Sequence, residues 1–270
     1  MVRDITLGQH FPGDSRVHRL DPRLKLLLVV AYIVVLFVAP NLAGLALSAA
    51  FLAGLYALAK IPVKMVLRSM KPILPIILFT GIINLFFVQG DIVFHWWIFT
   101  VTKQGLYFSL VMVVRIVCLI AATSLLTYTT SPIALTDALE RVMSPLKLLH
   151  APVHEVAMMM TIALRFIPTL VEETDKIMNA QKARGAELDT GKLTDRIKAL
   201  IPVLIPLFIS AFRRADELAM AMECRCYHGG EGRTRLKTLE ITSQDILSTA
   251  VCLLFLAAVV STNFFVPKVI

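Results

Sequence analysis

Residues 25–60, KLLLVVAYIVVLFVAPNLAGLALSAAFLAGLYALAK, decide the class of this protein. Thirty-four uncharged residues stand between the two terminal lysines, and Pro40 and Asn41 interrupt them near the middle. A helix that crosses a bilayer needs about 20 consecutive apolar residues, so this run is long enough for two closely coupled membrane helices. We predict these helices at residues 24–39 and 42–59.

Three further apolar runs complete the prediction of an all-α integral membrane protein with five transmembrane helices. They lie at residues 72–88, 106–128 and 246–266, and each is long enough to cross a bilayer. The first helix of the five is short, so we expect Arg23 and Lys25 to snorkel to the interface and extend its reach. The composition agrees with this class: 57% of the residues are hydrophobic, against roughly 45–50% in soluble domains.

Lysine and arginine are distributed unevenly along the chain. Residues 1–25 hold five of them, 60–71 hold four and 129–245 hold fifteen, out of 27 in all. These residues are retained on the cytoplasmic face of a membrane, so we predict a plasma-membrane protein with a cytoplasmic amino terminus and an external carboxyl terminus. The formal net charge of +8 then follows from topology, and we expect no nucleic-acid partner.

Charges interrupt the apolar residues at short intervals after the fourth predicted span. We therefore divide the chain into transmembrane helices 1 to 4 (1–128), a cytoplasmic domain of long amphipathic helices (129–240) and a final transmembrane helix (241–270). Apolar residues at three- and four-residue steps predict two long helices in the cytoplasmic domain. They run from Val153 to about Ala186 and from Leu193 to about Tyr227.

Each of these long helices ends in a triplet centred on an arginine. The triplets are Ala183-Arg184-Gly185 and Cys224-Arg225-Cys226. The arginines are 41 residues apart, and aligning them places Asp175 on Asp216, which indicates a faint internal repeat. A planar, permanently charged guanidinium at a helix tip can enter an acidic or carbonyl-lined groove of a partner. Cations also stabilise helix carboxyl ends through the helix dipole, and spacing alone favours this capping role.

Several stretches together resemble one family of transport proteins. They are GQHFPGDS at 8–15, HRLDPR at 18–23, the segment 130–185 and both arginine triplets. This combination resembles the transmembrane (T) component of energy-coupling-factor transporters, and is closest to the general-purpose type. The resemblance implies a complex with two separate ATP-binding-cassette ATPases and with one or more small capture subunits (S components) that bind a vitamin or a metal ion.

The resemblance also implies roles for particular residues. Both triplets are expected to dock into grooves of the ATPases, so residues 129–240 are expected to act as a cytoplasmic coupling domain. The first matches the family's Ala-Arg-Gly form, whereas the second departs from it in its cysteines. ATP and magnesium are expected in the partner ATPases, so this chain would hold no cofactor of its own.

A capture subunit is expected to slide on the apolar faces of the two long helices. We assign to this contact surface Met158, Met159, Met160, Pro168, Pro202, Leu204, Ile205, Pro206 and Phe208. Methionine has a flexible thioether, which suits a surface that accepts several partners. Core packing between the two helices is equally compatible with these residue types.

Arg115 lies near the middle of the predicted span 106–128. A charge there costs about 2.5–3.5 kcal/mol on insertion scales, so we expect Arg115 to face protein. Hydrogen bonding to neighbouring helices and a direct functional role are the two alternatives. No acidic residue lies in any predicted span, which argues against a proton-coupled carrier.

The sequence contains no catalytic constellation. A phosphate loop, a Gly-x-Ser-x-Gly elbow and a His-Glu-x-x-His helix are all missing. Cys224 and Cys226 form a single Cys-x-Cys with only His228 nearby, so we predict no metal site. We therefore predict a non-catalytic subunit of an ATP-driven importer, with a membrane scaffold or a stand-alone secondary transporter as alternatives.

Overall fold

The computed structural model describes residues 11–39, 41–96, 99–149, 151–186, 193–229 and 241–265. Within these ranges the chain is helical apart from one β-hairpin. The described residues fall into two compact units. One contains those between Leu139 and Lys237, and the other contains those between Gly8 and Ala138 together with those between Thr238 and Ile270.

Ten α-helices, two strands and one 3-10 turn make up the described part of the chain. In order they are α1 (Arg16–Arg19), α2 (Pro22–Val38), α3 (Leu42–Ala59), α4 (Val63–Met70), α5 (Leu74–Phe87), β1 (Ile92–Trp96), β2 (Phe99–Thr102), α6 (Lys103–Thr129), α7 (Pro132–Val142), a 3-10 turn (Ser144–Leu149), α8 (Val153–Ala183), α9 (Leu193–Glu223) and α10 (Ser243–Phe265).

Polar caps set the starts of α2 and α6. The Asp21 carboxylate accepts a hydrogen bond from the Arg23 backbone N–H at 2.8 Å, and Pro22 occupies the first turn of α2, where its missing N–H is not needed. The Thr102 hydroxyl accepts from the Gly105 N–H at 3.0 Å at the start of α6. These caps satisfy backbone donors that a helix end leaves unpaired.

The core of the larger unit is built around α6, which contacts α2, α3, α4 and α5. α10 packs against α2 and α3. Buried leucines, alanines and tyrosines from these helices form one cluster, in which Tyr32, Leu36, Leu45 and Tyr128 are among the largest side chains. Close packing around a single central helix fixes the positions of the others.

The candidate membrane spans of the structure agree only in part with the five predicted from sequence. α3, α6, α8 and α10 are long and apolar enough to cross a membrane, and α4 with α5 passes if the bent pair counts as one span. α2 is not among these; its 17 residues rise only about 26 Å, against a hydrocarbon core of about 30 Å. The all-α membrane class is confirmed. α8 is an additional candidate membrane span, because its first 18 residues carry only two charged side chains, Glu155 and Arg165.

The helix predicted at 72–88 is present as α5 (Leu74–Phe87), but two neighbouring features were not predicted. The helix α4 precedes α5 and meets it at a 64° bend; Pro75 stands in the first turn of α5, where it supports a new helix start. The segment after α5 forms an antiparallel hairpin, with Phe94 opposite Val101 and His95 opposite Thr100. Alternating β-branched and aromatic residues favour that pairing.

Lys25 also departs from its prediction. Its side chain is 6% exposed, and its Nζ donates to the carbonyl oxygens of His18 and Thr129, both at 2.9 Å. The Lys25 ammonium therefore stays inside the protein, and the prediction that this side chain snorkels outward from the helix end is wrong. The ammonium instead satisfies carbonyl groups in a segment where the chain enters α2 and leaves α6.

Candidate coupling site at the ends of α8 and α9

A polar cluster joins α8 to α9. The Glu173 carboxylate accepts from the Ser210 hydroxyl at 2.5 Å and from the Arg214 guanidinium at 2.7 Å. Further along α8, the Gln181 side-chain amide donates to the Pro202 carbonyl at 3.3 Å. Later residues of α8 thus meet earlier residues of α9, so the two helices run in opposite directions where they touch.

The two halves of the internal repeat meet at equivalent positions. Glu173 and Arg214 are 41 residues apart, which is the spacing of the repeat, and each precedes the arginine of its own triplet by eleven residues. Eleven residues of helix rise about 16 Å, and the helices run in opposite directions, so Arg184 and Arg225 are held roughly 30 Å apart. That distance is about the diameter of a small protein domain. The two tips can therefore face two separate partners.

The carboxyl end of α8 is closed by its own backbone. Arg184 is the last half-helical residue, and Gly185 follows with φ 86° in the left-handed region. The Gly185 N–H donates to Lys182 O and the Ala186 N–H donates to Gln181 O, each at 3.0 Å. This pair of bonds is the Schellman motif, which glycine favours because it has no Cβ. It ends the helix at Ala183 rather than near Ala186.

The carboxyl end of α9 has the same geometry. Cys226 has φ 53°, and its N–H donates to Glu223 O at 2.8 Å, while the Tyr227 N–H donates to Met222 O at 3.0 Å. Arg225 therefore occupies the position that Arg184 has at the end of α8. Cys226 stands where α8 has Gly185, although a side chain makes the left-handed conformation less favourable.

The structure places both triplets on the surface. Arg184, Gly185, Cys224, Arg225 and Cys226 are exposed, and so is Ala183. Within the described ranges neither guanidinium has a hydrogen bond or an ion pair to another side chain. The backbone bonds above already satisfy carbonyls at both helix ends, so these guanidinium groups are not needed to pair with them. Each is available to a partner.

The predicted capture surface is exposed for the most part. Met159 is 58% exposed, Ile205 56% and Phe208 60%. Met160, Leu204, Pro168 and Pro202 are also exposed, and Met158 and Pro206 are half-buried. Most of these side chains therefore do not pack in a core of this chain. They offer apolar surface to a partner or to lipid.

Arg115 lies close to the end of α2. Its guanidinium donates to the Ala39 carbonyl at 3.0 Å, and its Cζ lies 5.8 Å from the centre of the Phe37 ring. Ala39 is the residue that ends α2, so the positive charge stands at the negative end of that helix dipole. Of the two alternatives for Arg115, this contact agrees with hydrogen bonding to a neighbouring helix.

No group of three His, Cys, Asp or Glu side chains suited to a metal ion occurs among the described residues. Residues 187–192, between α8 and α9, lie outside the described ranges.

Sequence reasoning did not anticipate three features of these units. The contact of Glu173 with Arg214 was missed, although its 41-residue spacing carried a signal. The left-handed conformation of Cys226 could have been found by aligning it with Gly185. The buried carboxylates Asp21 and Asp245, which flank Lys25, gave no pattern: Asp245 accepts from the Asp21 backbone N–H at 3.1 Å across 224 residues.

Most of the chain matches a known protein family. A family model described as a cobalt transport protein, CbiQ, matches residues 13–236. The chain belongs to the CbiQ/EcfT family. The family expected from the sequence is confirmed, and the match includes both arginine triplets and the whole of α8 and α9.

CbiQ/EcfT relatives match over nearly the full chain. A protein from Ruminiclostridium cellulolyticum, named energy-coupling factor transporter transmembrane protein EcfT, is 52% identical over 98% of this chain and 99% of its own. A protein of the same name from Bacillus subtilis is 46% identical over 96% and 97%. A third from Thermosediminibacter oceani is 52% identical over 91% and 92%. Membership in this family identifies the chain as a transmembrane component of a transporter.

Proposed function

We propose that this chain is the coupling subunit of an ATP-driven importer, and that Arg184 and Arg225 dock with two separate ATP-binding-cassette ATPases. The observation that carries the proposal is the matched ending of α8 and α9. Each helix presents an exposed arginine at its last position, followed by a left-handed residue that stops the chain from extending past it. A guanidinium held in this way loses little conformational freedom when it binds.

The separation of the tips supports two docking partners rather than one. The helices cross at Glu173 and Arg214, and each arginine lies eleven residues beyond that crossing in its own direction. A pair of similar ATPases presents two similar grooves, and two tips roughly 30 Å apart reach one groove each. The crossing then transmits motion between the tips, because α8 and α9 touch through polar side chains with fixed geometry.

The outward faces of α8 and α9 supply the second contact of the proposal. Met159, Met160, Leu204, Ile205 and Phe208 are exposed apolar residues, and a capture subunit embedded in the same membrane is the proposed partner. Flexible methionines allow one surface to accept different capture subunits, which suits the general-purpose type. Selectivity for a vitamin or a metal ion then belongs to the capture subunit, and ATP and magnesium belong to the ATPases.

The proposed coupling role also implies an orientation of the chain in the membrane. We place the amino terminus and both arginine tips in the cytoplasm, where ATP is available, and the carboxyl terminus outside, in accord with the distribution of lysine and arginine. The chain itself is proposed to be non-catalytic.

The proposal is tested by co-expressing the tagged chain with two ATPases and a capture subunit from the same organism. Arg184→Ala and Arg225→Ala are each expected to weaken ATPase association at least about tenfold, since a buried charged contact across an interface is worth about 2–5 kcal/mol. Arg165→Ala and Arg213→Ala are the matched controls, because both residues are exposed on α8 and α9 but lie away from the tips. Full ATPase recovery with both tip arginines replaced would contradict docking and favour a scaffold.

A further inference from the structure

A cavity of about 360 Å³ lies between α2, α3, α6 and α10. Its volume is at the lower end of the roughly 300–1,000 Å³ found for small-molecule sites. Aliphatic and aromatic side chains form most of its wall, among them Phe51, Leu125 and Leu256. Two cationic residues, Arg16 and Lys25, also line it, and no acidic side chain is among its described lining residues. The cavity wall is therefore mainly apolar, with two cationic side chains near one end.

The charged end of the cavity lies where helices begin or end. Lys25 is in the first turn of α2, Thr129 ends α6, and Leu247 is in the second turn of α10. Tyr32 lines the cavity seven residues further along α2, which is about 10 Å deeper in the bundle. Helix ends of a membrane bundle lie near the membrane interface, so the cations stand at interface level and the apolar wall extends into the hydrocarbon region.

The cavity opens sideways between α3 and α10. These helices are in contact from one end to the middle: the Asn41 amide donates to Thr262 O at 3.5 Å, and the Phe51 and Phe255 rings stack with centres 4.0 Å apart. Towards the charged end, the lining residues Leu58, Leu247 and Val251 are each more than half exposed. The helices thus leave a crevice through which a lipid chain can enter from the bilayer.

The two cations differ in what they can offer a ligand. Lys25 Nζ is occupied by the carbonyl oxygens of His18 and Thr129. Arg16 is exposed, and its guanidinium has no hydrogen bond or ion pair within the described part of the chain. Arg16 is therefore the group that can hold an anion at the mouth, whereas the buried carboxylates of Asp21 and Asp245 offset the charge of Lys25.

We propose that this crevice binds an anionic phospholipid, with its phosphate on Arg16 and one acyl chain between α3 and α10. Arginine matches phosphate oxygens in a bidentate geometry, and basic pockets between transmembrane helices hold anionic head groups in this way. The exposed wall residues Leu58, Leu247 and Val251 are all apolar, which suits a lipid chain rather than a soluble ligand. The proposal does not depend on how the chain couples to ATPases.

The head-group contact is tested by native mass spectrometry of the full-length chain in mild detergent, titrated with phosphatidylglycerol or phosphatidylcholine. Arg16→Gln is expected to weaken the tightest phosphatidylglycerol adduct at least about tenfold, as expected for loss of a charge-assisted hydrogen bond. Arg19→Gln is the matched control, since Arg19 is on the same short helix but faces Asp14 at 3.7 Å and does not line the cavity. Equal loss in both variants, or equal affinity for the two lipids, would overturn the proposal.

The acyl-chain contact is tested separately with a variant that fills the crevice. Val251→Trp is expected to remove the same adduct, whereas Leu254→Trp leaves it, because Leu254 is 74% exposed on α10 and does not line the cavity. Circular dichroism shows whether both variants are folded. A photo-crosslinker at position 251 should capture lipid in the assembled transporter; capture of a helix from another subunit instead would assign the crevice to that subunit and contradict lipid binding.

Discussion

The helices α8 and α9 form two halves of one repeat, with the same end geometry reached by different residues. Gly185 adopts φ 86° at the end of α8 without a side chain, and Cys226 adopts φ 53° at the end of α9 with one. Both make the same two backbone hydrogen bonds, and both leave an arginine exposed immediately before them. The two helix ends therefore place an arginine at the same position, although different residues follow it.

The largest effect should come from removing both arginines. In the variant Arg184→Ala with Arg225→Ala, substrate uptake by the reconstituted transporter is expected to fall to background, because two contacts that act together lose far more than either alone. Each single substitution should leave a measurable fraction. Uptake assays in membrane vesicles, with Western blotting for insertion, check this. Normal uptake in the double variant would contradict the proposal that the two arginines are needed for coupling.

A second prediction exchanges the residues that follow the arginines. Gly185→Val forces a β-branched side chain into the left-handed region and should cost about 1–2 kcal/mol at the end of α8. Cys226→Gly should cost nothing and can stabilise the end of α9 by up to about 1 kcal/mol, since it removes that strain. Thermal unfolding in detergent and ATPase association both report this difference. The comparison fails if Cys226→Gly destabilises as much as Gly185→Val.

Removing the contact between Glu173 and Arg214, where α8 and α9 cross, should have a smaller effect on stability. Glu173→Ala removes the acceptor for Ser210 and Arg214 and should lower the free energy of unfolding by about 1 kcal/mol, because the pair is partly exposed to solvent. Glu172→Ala, at the exposed neighbouring position, is the control. A double-mutant cycle with Arg214→Ala should show coupling between Glu173 and Arg214. Additive effects would mean that the crossing is not held by this pair.

The smallest effect is expected from the cysteines. The variant Cys224→Ala with Cys226→Ala should retain uptake and stability within about 0.5 kcal/mol, since alanine places the same Cβ at a surface position that needs no sulfur. Uptake and unfolding measured with and without added zinc or a chelator test this. A zinc-dependent loss in the variant would show that the cysteines, and not only Arg225, distinguish the second triplet.

Periodic apolar patterns predicted the elements that depend on local sequence. α3 has the predicted bounds, and α8 and α9 begin at the predicted residues, Val153 and Leu193. Their far ends were placed three or four residues too late, because the left-handed residues at 185 and 226 end a helix more sharply than hydrophobic periodicity shows. The arginine triplets themselves were predicted from sequence, and their roles stay predictions.

Features that depend on distant contacts could not be predicted in the same way. Lys25 was expected to extend its side chain outward from the end of α2, but its ammonium is buried and donates to the carbonyl oxygens of His18 and Thr129. The bend between α4 and α5 and the hairpin after them result from packing against α6 and from pairing of two short strands. Arg115 was expected to face protein, but its partner, Ala39 O, lies 76 residues away in the chain. Pairings over such separations leave no periodic signal.

Photo-crosslinkers placed at positions 184 and 225 in the assembled transporter test the central claim most directly. We predict that each position crosslinks to an ATP-binding-cassette ATPase, and that a chain carrying both crosslinkers captures two ATPase molecules at once. Crosslinkers at positions 165 and 213 should capture no ATPase. Labelling of positions 184 and 225 from the outer face of intact cells, or crosslinks from both positions to a single ATPase site, would contradict the account.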